Sequence, residues 1–316
     1  MISIVFFGTS EFAVPSLKAL LGDREGTFGA GTPFKIISVV TQPDRPVGRH
    51  AKLEKPPVKL AAEHFGIPVL QFEQVKSDEA FEKLKALKAD VAVVASFGQI
   101  IPQRVLDLYK YGMVNVHSSL LPKYRGASPI QAAIANGDKE TGVSIMLIDA
   151  KMDHGPVLDK WSTKIEPTDT TATLTTRLAD LGADLLVRTL PDYIDSKIEP
   201  VEQDHSQATM VKLLKREDGR LDPVTKSSAE LERLVRANDP WPGTFIEIEG
   251  ERLKVLTCEV DGATDLAPGT RYRVIDLPAI ACADGVGLVL TTVQPEGKPP
   301  LEGAAFLRGA RDWSGD

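Results

Sequence analysis

The sequence predicts an α/β fold in which a doubly wound, mostly parallel sheet is followed by a small β-barrel. Two observations carry this. Through the first two thirds of the chain, short apolar runs alternate with helix-like segments, and the runs are continuously apolar, as strands covered on both faces are. After Asn238 the pattern changes to short strand-like pieces separated by Gly, Pro and Asp, which suits a small barrel. At 316 residues the chain has room for two domains, each with its own core.

Taken in order, Ile2–Phe7 is an apolar strand ended by Gly8, and Pro15–Leu21 reads as the first helix. Gly22 to Pro33 holds four glycines and reads as a surface loop. Strand Lys35–Val40, helix Val58–Phe65 and a short strand at Val69–Leu70 follow, then a charged amphipathic helix around Asp78–Leu87. Asp90–Ala95, with Val-Ala-Val-Val inside, is the clearest buried strand; Gln103–Leu108 is a helix. Met113–His117, helix Pro129–Asn136, strand Val143–Ile148 and the long helix Thr171–Tyr193 complete a first domain over residues 1–194. The polar stretch 195–207, with Pro200, reads as a linker to a second domain over 208–316. There a short helix, Glu230–Arg236, precedes strand-like pieces at Thr244–Ile248, Arg252–Thr257, Thr270–Ile275, Ala279–Cys282 and Val286–Val293.

Composition narrows the class. Charged residues make up 26% and hydrophobic residues 42%, as in soluble globular proteins. No run approaches the roughly 18 apolar residues of a membrane-spanning helix. The chain opens directly on a strand, without a signal or transit segment, so a cytoplasmic location is expected. Cys258 and Cys282 are too few for a disulfide framework and are expected as buried thiols; no Cys/His cluster has zinc-ligand spacing. A net charge of −7 disfavours broad nucleic-acid binding, yet a basic strip can sit on an acidic protein. Residues 45–59 carry Arg45, Arg49, Lys52, Lys55 and Lys59 against one acid, Glu54.

The chemistry concentrates in Asn115-Val116-His117 and in Asp153, 36 residues after His117. Residues two apart on a strand share a face, so the amide and the imidazole lie side by side at the end of an apolar run. Two polar groups buried there are costly without partners or a use. An amide can donate to developing negative charge, an imidazole can give or take a proton, and a carboxylate can orient or charge it, which together suit acyl-type transfer. Each residue alone reads more readily as structural; the shared face of Asn115 and His117 brings the site reading level with it. Ser96-Phe97-Gly98-Gln99 ends another strand, and ligands of open parallel sheets sit beyond such ends, although Phe97 reads equally as core and Gly98 as a strand stop. Gly8-Thr9-Ser10-Glu11 lacks the glycine spacing of a dinucleotide site.

The segment from Asn115 to Gln131, with Ser118-Ser119-Leu120-Leu121-Pro122-Lys123-Tyr124-Arg125-Gly126 inside it, resembles the core of the tetrahydrofolate-dependent formyltransferases. Thr141 to Met146 and Met152-Asp153-His154-Gly155 continue the likeness at the family's spacing. The resemblance implies 10-formyltetrahydrofolate as co-substrate, Asn115, His117 and Asp153 as catalytic residues, and a folate site lined by Ser96, Phe97, Gly98, Gln99, Ser119, Leu120, Leu121 and Pro122. A formyl donor is already activated, and no metal is expected.

Three further segments bear on the acceptor. Thr41 to Arg49 resembles the loop that methionyl-tRNA formyltransferases place in the acceptor stem, Arg236 to Gly243 resembles the start of their second domain, and Gly8 to Ala13 their first turn. This implies initiator methionyl-tRNA as acceptor, contacts from Arg45, Arg49 and Lys52, a Rossmann-like first domain and an OB-like barrel, acting as a monomer. His50-Ala51-Lys52, Asp222-Pro223 and His154 depart from the family's usual residues. A sugar-nucleotide amine as acceptor, and a catalytically silent RNA-binding protein, are the alternatives.

Overall fold

The computed structural model describes residues 1–23, 32–47, 52–310 and 312–314. Most of the expected glycine-rich loop, and Arg49 with its neighbours, lie outside the described residues. Two compact units emerge from the chain's contacts: Met1–Gly126, Thr141–Thr163 and Thr175–Met210 form one, and Ala127–Glu140, Lys164–Leu174 and Val211–Asp316 the other.

The chain begins with β1 (Ile2–Gly8), α1 (Val14–Leu20) and β2 (Phe34–Thr41), then a small antiparallel hairpin, β3 (Arg45–Val47) and β4 (Lys52–Glu54). The elements α2 (Pro57–His64), β5 (Val69–Gln71), α3 (Asp78–Leu87), β6 (Val91–Ala95), α4 (Gln103–Leu106) and β7 (Met113–His117) follow. Next come β8 (Arg125–Gly126), α5 (Pro129–Ala135), β9 (Glu140–Leu147), β10 (Val157–Lys164) and α6 (Thr171–Ile194). The hairpin and β10 were not expected from the sequence.

Seven strands form the main sheet among the described residues, in the order β10-β9-β7-β6-β1-β2-β5. The pairs β1/β2, β1/β6, β2/β5 and β6/β7 are parallel, and β7/β9 is antiparallel. All five residues of β6 are buried, which is why its apolar run is unbroken. The chain winds one way from β1 through β2 to β5 and the other way from β6 to β7. The switch therefore lies between the carboxyl ends of β1 and β6, where open α/β sheets leave a crevice.

Local signals explain several boundaries. Ser77 caps α3 by accepting from Ala80 N at 3.2 Å, Asp78 and Glu79 sit in its first turn, and Lys88 ends it at φ 50°. In α6, Leu178, Leu185, Leu186 and Leu190 form a buried stripe. Gly182 on that stripe is required: a Cβ there would stand 2.7 Å from Val116 Cγ1. The missing Cβ lets α6 lie against β7, on the face opposite Asn115 and His117.

Asp90, just before β6, accepts hydrogen bonds from Ser3 Oγ (2.6 Å) and Ser3 N (2.8 Å). These bonds, the hydroxyl's first, hold its carboxyl below the usual aspartate range. Because the folded value is depressed, the stabilisation is complete at neutral pH and is lost as pH falls through the ordinary carboxylate range towards the lowered one. Ser3→Ala is expected to shrink this acid-dependent loss, as measured by denaturant unfolding across that pH range.

The second unit is built from β11 (Met210–Val211), α7 (Ser228–Ala237), β12 (Thr244–Ile248), β13 (Glu251–Ala263), β14 (Arg271–Val274), β15 (Leu277–Ala281), β16 (Val286–Pro295), β17 (Leu301–Glu302) and α8 (Gly303–Gly309). Its antiparallel sheet runs β12-β13-β16-β15-β14, with β17 on β16. Register shifts along β13/β16 bend the long strand over a core that includes Leu231, Val235, Val255, Leu290 and Trp313. A capping box starts α7: Ser227 Oγ accepts from Glu230 N while Glu230 Oε2 accepts from Ser227 N at 2.9 Å. Both cysteines are free thiols, and burial pushes both up, Cys282 to about 12. No helix among the described residues is long and apolar enough to cross a membrane.

Candidate active site

The end of β7 brings Asn115 and His117 to the sheet's carboxyl edge. Asn115 is half-buried, and among the described residues nothing hydrogen-bonds its carboxamide. His117 is buried, 6% exposed. Its Nε2 lies 3.0 Å from Tyr124 O. A carbonyl can only accept, so Nε2 carries a proton and Nδ1 is the nitrogen left for other work. Nδ1 faces Asp153 Oδ1 at 3.7 Å, beyond a direct hydrogen bond.

Asp153 sits in the turn between β9 and β10, in the left-handed region at φ 48°. Its Oδ2 accepts from Gly126 N at 2.7 Å, which leaves Oδ1 towards the imidazole. Gly155 permits this turn, because a Cβ there would come within 2.1 Å of Leu147 O. The sequence-predicted trio is thus partly assembled: His117 and Asp153 face each other, and Asn115 lies on the same strand face as His117.

The loop after His117 is held from β9. Ser144 Oγ donates to Ser119 O at 2.7 Å and accepts from Leu121 N at 3.0 Å. Ser119 Oγ donates to Lys123 O at 2.6 Å, and Lys160 Nζ donates to Leu121 O. Of the four residues expected at a folate site here, Ser119 and Leu121 are turned inward; Leu121 packs against Met146 and Val157. Leu120 and Pro122 are half-buried.

The loop after β6 lies at the sheet's switch point. Thr9 N donates to Ser96 O at 3.2 Å, Thr9 Oγ1 to Phe97 O at 2.9 Å, and Gln42 Nε2 to Phe97 O at 3.1 Å. Ser96 is exposed at φ 44°, its hydroxyl 2.7 Å from Ser10 Oγ. Gly98, at φ 82°, has no room for a Cβ beside Gln42 Nε2. Phe97 is 3% exposed and meets Phe7 edge-on, centroids 5.3 Å apart. Gln99 is spent on the chain after β5, accepting from Val75 N and donating to Phe72 O. Phe97 and Gln99 frame the loop with their side chains, and Ser96 and Gly98 are its open positions. Gln42, which shapes it, was not singled out in the sequence.

The Formyl transferase family matches residues 2–190, and the Formyl transferase, C-terminal domain family matches residues 213–311. The chain belongs to the formyl transferase family. It is 46% identical to a protein of Roseiflexus sp. strain RS-1 named methionyl-tRNA formyltransferase, over 98% of this chain and 92% of that protein. A protein of the same name from Bacillus velezensis is 42% identical, over 100% of this chain and 97% of its own length. In fold the chain is similar to the N-formyltransferase of Helicobacter canadensis, solved with folinic acid and dTDP-3-aminofucose. That likeness has a TM-score of 0.67 at 19% identity and covers 92% of this chain and 99% of that one.

In this formyl transferase the basic strip spans the hairpin strands, which carry Arg45 and Lys52, and runs on through Lys55 to Lys59 in α2. Arg45 pairs with Glu73 (2.8 Å), Lys55 with Glu63 (2.8 Å) and Lys59 with Asp44 (2.8 Å). The Lys59 and Gln71 side chains, both bonded to Asp44, hold its carboxyl below the usual range. Lys52 is exposed on β4. Arg49 lies outside the described residues.

Beside Asp153 is a polar cluster that sequence reasoning missed. Arg125, 6% exposed, donates to Gln203 Oε1 (2.7 and 3.1 Å) and to His205 Nδ1 (2.8 Å). His205 therefore accepts at Nδ1 and carries its proton on Nε2 when neutral. Its ring stacks on His154 at 4.0 Å, and His154 Nδ1 donates to Asp149 Oδ2 at 2.6 Å. The only signal available was Arg125, inside the family-like loop; nothing local distinguishes Gln203 from a linker glutamine.

Proposed function

We infer that this chain transfers the formyl group of 10-formyltetrahydrofolate to the α-amine of methionyl-tRNA, giving formylmethionyl-tRNA for translation initiation in the cytoplasm. The observation that carries the reading is the 46% identity, over 98% of the chain, to a relative named for that acceptor. The sugar-amine alternative has a likeness of only 19% identity behind it. The free Asn115 carboxamide and the facing His117 and Asp153 speak against a silent RNA-binding protein.

In the proposed reaction the neutral amine attacks the formyl carbon. The new C–N bond forms, the bond to N10 breaks, and the proton released by the amine ends on N10, so the donor leaves as tetrahydrofolate. Asn115 donates to the tetrahedral oxygen. His117 acts at this oxygen or on the amine proton through Nδ1, because Nε2 is held by Tyr124 O. Asp153 Oδ1, 3.7 Å from Nδ1, supports the charged imidazole by its charge rather than by a direct hydrogen bond, which leaves Nδ1 for the substrate. For the folate, Ser96, Gly98, Leu120 and Pro122 supply the contact surface, while Phe97, Gln99, Ser119 and Leu121 hold that surface in shape.

The test is direct: the protein is incubated with 10-formyltetrahydrofolate and either methionyl-tRNA or a nucleotide amino sugar, and mass spectrometry looks for one added formyl group. Formylation of the sugar alone overturns the acceptor.

For RNA contact we assign Arg45 and Lys52 on β3 and β4, Arg49 from the sequence between them, and the carboxy-terminal domain, residues 208–316. Arg45 is solvent-exposed, and an exposed ion pair such as Arg45–Glu73 is worth at most about 1 kcal/mol, so it exchanges readily for phosphate. Replacing Arg45, Arg49 and Lys52 by alanine is expected to weaken methionyl-tRNA binding and leave folate affinity unchanged. The slope of log affinity against log salt should flatten by about one for each phosphate that the variant no longer neutralises. Coincident salt plots for wild type and variant would remove the hairpin from the RNA-binding surface.

A further inference from the structure

The stretch between α6 and β11 looks in sequence like a polar tether, yet in the first unit it grips both loops of the candidate site. Val201 pairs with Val157 through Val157 N to Val201 O (2.8 Å) and Val201 N to Val157 O (2.9 Å). Gln203, 7% exposed, donates through Nε2 to Asp153 O at 2.9 Å and to Gly155 O at 2.7 Å. Its Oε1 meanwhile accepts twice from Arg125. Further along, Thr209 Oγ1 accepts from Tyr124 N at 2.8 Å, and Arg125 N donates to Thr209 O at 2.8 Å. Tyr124 is the residue whose carbonyl holds His117 Nε2, and Gly126 is the residue whose N–H holds Asp153 Oδ2.

We propose that Gln203 is a positioning residue for formyl transfer, fixing the Asp153 turn against the Arg125 loop so that Asp153 Oδ1 faces His117. Asp153 is in the left-handed region, which disfavours a non-glycine residue by itself; the turn persists because its surroundings determine it. With one amide group Gln203 caps two carbonyls of the turn, that of Asp153 itself and that of Gly155. The same amide's oxygen satisfies a buried guanidinium. A side chain lacking either end leaves a buried polar group unpaired on one loop or the other. The assignment rests on the proposed reaction and adds to it a residue that never touches substrate.

The experiment compares Gln203→Met and Gln203→Glu with wild type, alone and in an Asp153→Asn background, by single-turnover formylation of methionyl-tRNA. Folate and tRNA affinity and thermal melting are measured in parallel. Methionine keeps the length and loses every hydrogen bond; glutamate keeps the acceptor for Arg125 and loses both donors. The expected result is a ten- to hundredfold slower transfer in each single variant, with affinity for either substrate changed less than about threefold, as for a catalytic group displaced by about 1 Å. In the Asp153→Asn background the same change should cost less than about threefold, because Gln203 acts only through Asp153. Should methionine prevent folding, the glutamate variant decides, since its charge can pair with Arg125. Equal losses in both backgrounds, or undiminished transfer in a folded single variant, overturn the proposal. Failure of wild type to formylate methionyl-tRNA would instead overturn the reaction itself.

Discussion

Replacing His117 by alanine is expected to slow formyl transfer at least about a hundredfold while the protein stays folded and still binds folate. Loss of one donor aimed at a developing oxyanion costs roughly 3 kcal/mol of barrier, and His117 also handles charge on the amine. The imidazole is buried, but its hydrogen bond among the described residues goes to a loop carbonyl, Tyr124 O, in a loop that Thr209 holds independently. Asn115→Ala and Asp153→Ala are expected to fall in the same range. Single-turnover formylation with saturating donor and acceptor measures the step. Near-normal turnover in a His117→Ala protein with confirmed folate occupancy would reject the mechanism.

Phe97→Ala is expected to act on stability, by about 3–5 kcal/mol, the usual cost of emptying a buried phenylalanine site. The ring is 3% exposed, sits edge-on to Phe7, and belongs to a core that includes Val5, Val94 and Met113. Its carbonyl receives both Thr9 and Gln42, so loss of the ring also loosens the switch-point loop. Denaturant unfolding reads the loss; an unchanged midpoint together with weaker folate binding would place the ring at the ligand instead.

How much was legible in the sequence follows from what kind of signal each part leaves. Strand β6 could be read because burial on both faces forces an unbroken apolar run. Edge strand β10 could not: its exposure alternates, and Asp159, Lys160 and Lys164 interrupt its apolar residues. The hairpin β3/β4 is built from two three-residue strands, Arg45–Val47 and Lys52–Glu54, too short to show a strand pattern of their own. In the site, Asn115 and His117 were visible because a two-residue period puts them on one face, and Asp153 through the family-like spacing. Ser119 and Leu121 shared a motif with half-buried neighbours, and their inward turn depends on bonds from Ser144 on β9 that no local pattern records. Gln203 is the extreme case. Its amide is useful only because α6 returns the chain to Asp153, 50 residues earlier, and no local pattern records that return.

The acid-paired hairpin bears on competition inside a cell crowded with other RNA. Arg45, Lys55 and Lys59 each already face a carboxylate, and the chain as a whole carries a charge of −7. A random polyanion approaching this face meets little long-range attraction and must displace Glu73 or Glu63 to engage Arg45 or Lys55, which leaves exposed Lys52 as the cation open to it. On the proposed assignment of RNA contacts, ribosomal and messenger RNA are expected to gain little at this face, and an acceptor is held by short-range fit rather than by charge.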